Sequence, residues 1–404
     1  MPVALESIRD ICKRSVELQR RLHEEHFSPD AVKVLDKRYS ITEAAKMVGR
    51  TTQAIRDAED RGDLSPPAKD PTSGRRTGYL LREINDMRDR FATRPARLRS
   101  EDDSCILAIQ NFKGGVAKST TSVHVAQYLA REGMRVLLVD CDSQASATRL
   151  FGYIPDIDLD VDDTLYPYFT GDRRNISYAI RDTYWDGLKL IPANLELYGA
   201  EYFLASRLRD ERQSLRPPFV MLRDALEAVS GDFDVIVIDP PPALGMISLN
   251  VLYAASAVVV PMPPRMLDFS STIQFFSMVE EVLENMSKTV PESAGLQYDF
   301  IKILIAKKQS RVKDSDDDKG LTTQDLITNL AHDFYGKYMM SSILYESAEI
   351  ESAIATGKTV YELDGPIGSH KTYRRAIETL DSVGSEIMEL IRSTWSSHRR
   401  ALSR

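Results

Sequence analysis

Cysteine is scarce in this 404-residue chain: the three present, Cys12, Cys105 and Cys141, are odd in number and far apart. None forms a Cys-x-x-Cys pair, so a disulfide framework, a zinc finger and an iron–sulfur site are not expected, and a reducing cytoplasm fits best. Long hydrophobic runs are missing too. Nothing approaches the roughly 18 uninterrupted apolar residues that a membrane-crossing helix requires. The chain opens without a basic-then-apolar leader, so export is not expected either. No internal repeat recurs along it.

What is present is unevenly distributed. The length allows one large core and a smaller module, so two folded parts are expected. The net charge of −8 seems to argue against nucleic acid. However, the first hundred residues carry a basic excess, most of it between Lys37 and Arg99, and the remainder is acidic. A basic module on an acidic body differs from a uniformly acidic protein.

Residues 1–36 read as an amphipathic helix with Ile8, Ile11, Leu18 and Leu22 on one face. That stripe can pack on its own domain or on a second copy, which makes it a candidate dimerisation element. Residues 37–93 read as two short helices and a wing. Thr42 caps the first helix and Gly49 ends it, and Thr51 or Thr52 caps the second. Ala44, Ala45, Val48 and Ile55 supply the apolar contacts, leaving Thr52, Gln53 and Arg56 to point outward. A strand-turn-strand follows with Arg75 and Arg76 near its tip, then the helix "LREINDMRDRF". The set resembles the winged helix-turn-helix of MerR-like regulators, which implies DNA reading by Thr52, Gln53, Arg56, Arg75 and Arg76. A small helical adaptor is the alternative. Residues 94–104 are polar, contain a proline and read as a linker.

From residue 105 to 404, short β-rich runs alternate with helical stretches: "CILAI", "RVLLVD", "LKLIPA", "DVIVIDPPP", "AVVVPMPP" and "FIKILIAK". Runs apolar on both faces suit a parallel sheet covered by helices, an α/β fold. "QSRVKDSDDDKG" reads as an exposed, charged insertion.

The stretch "QNFKGGVAKST" lies between the first of these strands and a helix, the context of a phosphate-binding loop. Gly114 and Gly115 allow close backbone approach, and the amides from Lys113 through Val116, Ala117 and Thr120 can face phosphate oxygens. Lys118 would contact the β- and γ-phosphates, and the Ser119 hydroxyl would bind Mg²⁺. Phe112 and Ala117 stand where the usual loop has glycines, so the strict pattern fails. Lys113, Gly114, Gly115, Lys118 and Ser119 instead satisfy K-G-G-x-x-K-[ST], and here the chain resembles the ParA/MinD family of P-loop ATPases.

The resemblance implies that Lys113 reaches across a sandwich dimer to the partner's ATP. It extends to "LLVDCDSQASAT", where Ser143 and Ala145 replace the family's proline and glycine. There it implies that Asp142 orients the attacking water and that Asp140 lies in the outer shell of Mg²⁺. In "DVIVIDPPP", Asp239 would hold Mg²⁺ through water. Pro261, Pro263 and Pro264 are candidates for lining the adenine pocket, although prolines after a strand also make rigid turns.

Within that family, "QASATRLFGYIPDID", "LKLIPANLELYGAE" and "TYRRAIETLDSV" are similar to the RepA partition proteins of repABC replicons. That likeness implies a cytoplasmic, nucleoid-associated homodimer. It also implies a ParB-like (RepB) partner, nonspecific DNA binding in the ATP state and repression of its own operon. Two alternatives stand beside it: a transcriptional repressor that uses ATP as a ligand, and a MinD-like membrane-associated ATPase. The C-terminal stripe Ile377, Leu380, Ile387 and Leu390 would serve the latter, but its interspersed acids favour packing on the sheet, and no membrane partner is expected. Glu346 and Glu349 fall about where small relatives carry DNA-binding arginines. Attention therefore shifts to Lys307, Lys308, Arg311 and Lys313, which can equally be a solvated charge run.

Overall fold

The computed structural model describes residues 3–26, 33–209, 217–289, 297–310 and 321–402. They form two compact units, one ending at Val34 and the other spanning Leu35–Arg404. The first is the helix α1, Val3–His26. Arg14 pairs with Asp10, and Arg21 with Glu17, one turn apart on its charged face. Ile8, Ile11 and Leu18 are each more than half exposed. The side chain of Leu22 lies outside the described residues.

The second unit opens with α2, Ile41–Val48, and α3, Thr52–Asp60. The cap of α2 is Ser40, not Thr42. Ser40 accepts from the Glu43 amide while Glu43 accepts from the Ser40 amide, a reciprocal box that Thr42 sits two residues too late to make. Gly49 ends α2 at φ 66°, and Thr51 caps α3. Ala44, Ala45, Val48 and Ile55 are buried. A single antiparallel bridge, Lys69 to Arg76, closes the hairpin, and α4, Leu81–Arg90, follows. Arg88 of α4 is buried and donates to the carbonyls of Met47 in α2 and Arg131 on the large sheet's side. Both carbonyls lie in the last turns of their helices, where partial negative charge accumulates.

Residues 94–104 form a fastened strap. The buried Arg97 guanidinium donates to the carbonyls of Phe233, Asp102 and Ser230. Within this linker Arg97 and Asp102 face inward, while Arg99, Ser100, Glu101 and Asp103 are exposed.

Eight strands form one sheet in the order β3-β4-β2-β5-β1-β6-β7-β8, all parallel except the β3/β4 pair. They are β1 Cys105–Ile109, β2 Val136–Asp140, β3 Arg181–Asp182, β4 Leu188–Ile191, β5 Val235–Asp239, β6 Ala257–Met262, β7 Phe300–Lys308 and β8 Met339–Tyr345. Alternate residues serve opposite layers: Cys105, Leu107 and Ile109 join one core, and Ile106 and Ala108 the other. This is why the runs are apolar throughout. Sequence patterning misses β3, which is two residues long, and β8, where Ser341 and Ser342 interrupt the apolar run of an edge strand. Helix α5, Lys118–Arg131, crosses one face. The long helix His370–Thr394 packs on α5 and β8 through Leu380, Val383 and Ile387. Gly384 lies against the Tyr128 ring, where a Cβ would come within 2.4 Å. The C-terminal stripe is thus committed to the core. No described helix is long and apolar enough to cross a membrane.

Candidate active site

The parallel strands β1, β2 and β5 end side by side, and their C-terminal edge is where open α/β sheets bind ligands. From β1 the chain turns through residues 110–117 into α5. Gly115 at φ 75° and Ala117 at φ 72° hold the left-handed conformations that curl the loop. A Cβ at Gly114 or Gly115 would meet nothing within 4 Å among the described residues, so the space beside both glycines is open. Ala117 takes this conformation where the familiar loop has glycine, and Ala145 does so at φ 53° where the second box has glycine. A methyl group in that region costs about 1–2 kcal/mol.

Lys118, the first residue of α5, is buried and its Nζ donates to the Lys113 carbonyl at 2.8 Å. Burial lowers its pKa, opposed by the negative charges of Asp239 and Asp142. Asp140 and Asp239 are directly paired in register across β2 and β5, both fully buried. Asp239 Oδ1 accepts from Ser122 Oγ at 3.0 Å, and the nearby Ser119 hydroxyl also holds this carboxyl's pKa down. Asp239 Oδ2 is buried with no hydrogen-bond partner among the described residues. Burial pushes the Asp239 carboxyl up to about 6 despite those two hydroxyls. Asp140 is pushed well above the ordinary range by burial and by Asp239. It is nevertheless held in place, with Oδ1 accepting from the Asp142 amide at 3.1 Å and Oδ2 from Thr148 Oγ1 at 2.7 Å. Asp142 is raised by burial and lies in the field of Lys118.

The structure therefore gathers Gly114, Gly115, Val116, Ala117, Lys118, Ser119, Thr120, Asp140, Asp142 and Asp239 at one edge of the sheet. A buried carboxylate oxygen without a donor, beside a serine hydroxyl and an open loop, fits a hard divalent cation shared with phosphate oxygens. Lys113 is set apart from this cluster: its Nζ pairs with Asp268 Oδ1 at 2.5 Å, at the start of the helix Met266–Thr289. Pro263 and Pro264 are buried after β6. Pro261 lies inside β6, paired with Leu304, and not in the turn beyond it. Because its carbonyl accepts from Asn111 where β1 has already left the sheet, its missing N–H costs no ladder bond there.

Ser122, Thr148, Asn111 and Asp268 escape the sequence reading. Ser122 lies one helical turn after Lys118 and was within reach of periodicity. Asp268 is distant in sequence and carries no local signal.

In the N-terminal module, Arg56 and Arg75 are exposed, Thr52 is half-buried, and Gln53 donates to Asp57 at 2.7 Å. Arg76 is occupied by Glu59 and by the Tyr79 hydroxyl. Glu349 is buried and caps the amides of Ile367 and Gly368, so it belongs to the interior and not to a DNA-facing surface. Lys308 pairs with Asp325 at 3.0 Å, Lys307 is half-buried, and Arg311 and Lys313 lie outside the described residues.

A family model described as an AAA domain matches residues 104–291. Protein SopA of Escherichia coli (strain K12) is 36% identical over 377 residues, 91% of this chain and 92% of SopA. A putative replication protein A of Sinorhizobium fredii (strain NBRC 101917 / NGR234) is 31% identical over 392 residues, 94% of this chain and 92% of that protein. Among solved structures, one titled "Partition Protein" aligns with a TM-score of 0.65 at 18% identity, covering 97% of this chain and 99% of its own, a likeness of fold.

Proposed function

The chain belongs to the ParA-type partition ATPases, and on that premise we propose that it segregates DNA through an ATP-dependent sandwich dimer. In this reading it binds ATP with Mg²⁺, reads its operator through residues 37–93 and binds DNA nonspecifically in the ATP state. A ParB-like protein stimulates a weak hydrolysis, and the protein represses its own operon. The observation that carries the reading is the division of labour between two lysines of one loop. Lys118 Nζ lies within its own cradle, and Lys113 Nζ lies outside it on Asp268.

The chemistry follows from what each residue can do. The loop amides and Lys118 neutralise and orient the phosphates, since phosphoryl transfer asks for positioning more than covalent help. Ser119 and Asp239 would hold Mg²⁺, with Asp140 behind them, and the ion would supply positive charge to the phosphate oxygens. Asp142 accepts a hydrogen bond from the attacking water and aims it. Lys113 exchanges Asp268 for the partner's phosphates, so dimerisation completes each site and hydrolysis dissolves the dimer. Pro263 and Pro264 border the adenine, Arg56 reads bases, and Arg75 contacts phosphate.

Measuring ATP turnover alone, with DNA, and with DNA plus the ParB-like protein tests this reading. Stimulation by both is the expected result. Operator binding that responds to ATP with no turnover under any condition would favour a ligand-controlled repressor instead.

A further inference from the structure

Between the end of β1 and the glycines lies a residue that no phosphate contact explains. The β1/β6 pairing ends at Ile109 and Val259, and the last backbone bond runs from the Gln110 amide to the Val259 carbonyl at 2.9 Å. Two residues on, Pro261 still presents a carbonyl on the side that β1 has left. The Asn111 side chain fills that place. Its Nδ2 donates to the Pro261 carbonyl at 2.9 Å, and its Oδ1 accepts from the Lys113 amide at 3.0 Å. Asn111 is 1% exposed. A side-chain amide offers a donor and an acceptor together; a carboxylate offers acceptors only.

We propose that Asn111 is a positioning residue for Lys113, fixing the backbone pivot from which the lysine swings toward a partner's phosphates. The Lys113 carbonyl is held by Lys118 Nζ at 2.8 Å, so both backbone groups of Lys113 are tied. Its ammonium rests on Asp268, with the side chain about a third exposed. The neighbouring Phe112 ring meets Phe275 edge-on at 4.8 Å, on the same helix that carries Asp268. Residues 111–113 are thus fastened to residues 261–275, and only the lysine's four-carbon stem is left to move. Where a reacting group must arrive within hydrogen-bond distance, a misplacement of about 1 Å costs on the order of 100-fold. A fixed pivot removes that error.

The inference rests on the reading of Lys113 as acting in the partner's site. The test uses full-length Asn111→Asp. Ionised, the aspartate can accept from the Lys113 amide but cannot donate to Pro261; protonated, it regains the donor with nearly the same shape. Burial raises a carboxyl pKa, which brings this titration toward neutrality. Relative to wild type at each pH, turnover should fall by roughly tenfold or more at pH 8 and recover by about pH 6. ATP affinity should stay within about threefold, because the phosphate cradle is untouched. No fall in turnover, no recovery at low pH, or an equal fall in ATP affinity would overturn the proposal. If the aspartate variant does not fold at pH 8, Asn111→Ala decides: ATP binding kept with turnover lost at both pH values supports the proposal, and any other pattern refutes it. Lys113→Ala separates the two claims. If that variant keeps full turnover, the trans role itself fails; if it loses turnover and the Asn111 variants do not, only the positioning role fails.

Discussion

The strap of residues 94–104 and the nucleotide edge of the sheet both bury charge, and they treat it in opposite ways. Burial alone would raise the Asp102 carboxyl, yet bonds from the Ser397 hydroxyl and amide, the Leu98 amide and the Ser396 hydroxyl bring it below its ordinary value. Arg97 is likewise surrounded by carbonyls. At the nucleotide edge, Asp140, Asp142 and Asp239 are all raised, and one Asp239 oxygen has no donor among the described residues. A joint supplies its own partners; a site leaves places for a ligand to fill. It is the cluster of raised carboxyls that marks the site, since single buried atoms without partners among the described residues also occur elsewhere, at Ser104, Trp185 and Trp395 among others.

The sharpest way to break the comparison is to remove the charge that meets the ligand. Lys118→Ala should weaken ATP binding by on the order of 100-fold, roughly 2.7 kcal/mol, read by titration calorimetry. Affinity close to wild type would take Lys118 out of the cradle. Asp142→Ala should cut turnover by about 100-fold while ATP and Mg²⁺ still bind, the size expected for losing one positioned proton acceptor. Parallel loss of nucleotide binding would make Asp142 structural.

Stability should respond in opposite directions at the two places. Asp239→Asn removes an ill-satisfied charge and should stabilise the nucleotide-free protein by about 1–3 kcal/mol, while destroying its response to Mg²⁺·ATP. Arg97→Met should destabilise by a similar amount and leave the response to ATP intact, since it strands carbonyls far from the loop. Denaturant titration measures both.

The pH dependence carries the same signs. A carboxyl raised to about 6 binds its proton more tightly folded than unfolded. Its contribution to stability therefore grows as pH falls through about 6 and is absent well above it. The depressed Asp102 contributes above its ordinary value of 3.8, and that contribution is lost as pH falls through its lower folded value. Between pH 7.5 and 5.5 the nucleotide-free wild type should gain stability relative to Asp239→Asn, a difference that isolates this carboxyl from the buried His124, whose lowered pKa acts in the opposite sense. Parallel pH profiles for the two proteins would remove the contrast. The smallest expected effect is at the left-handed turn after β2: Ala145→Gly should stabilise by up to about 1 kcal/mol, the relief of a left-handed methyl less the glycine's entropy.

The central strands and the loop were legible in sequence because both are local. Five-residue runs buried on both faces and a spacing of glycines and lysines need no tertiary knowledge. The strap was not, since the groups that bury Arg97 come from residues 230–233. Nor was the resting partner of Lys113, since nothing about Asp268 announces which lysine it meets. The cap of α2 moved from Thr42 to Ser40 for a local reason, the reach of Glu43, that a closer reading of spacing could have found.

The central claim is that one loop serves two subunits. Sedimentation of full-length Lys113→Ala with and without ATP and Mg²⁺, beside a direct measurement of ATP binding, tests it most directly. The account predicts ATP affinity within a few-fold of wild type, through Lys118 and the loop amides, and no increase in dimer on adding nucleotide. A nucleotide-driven dimer of wild-type affinity would contradict it.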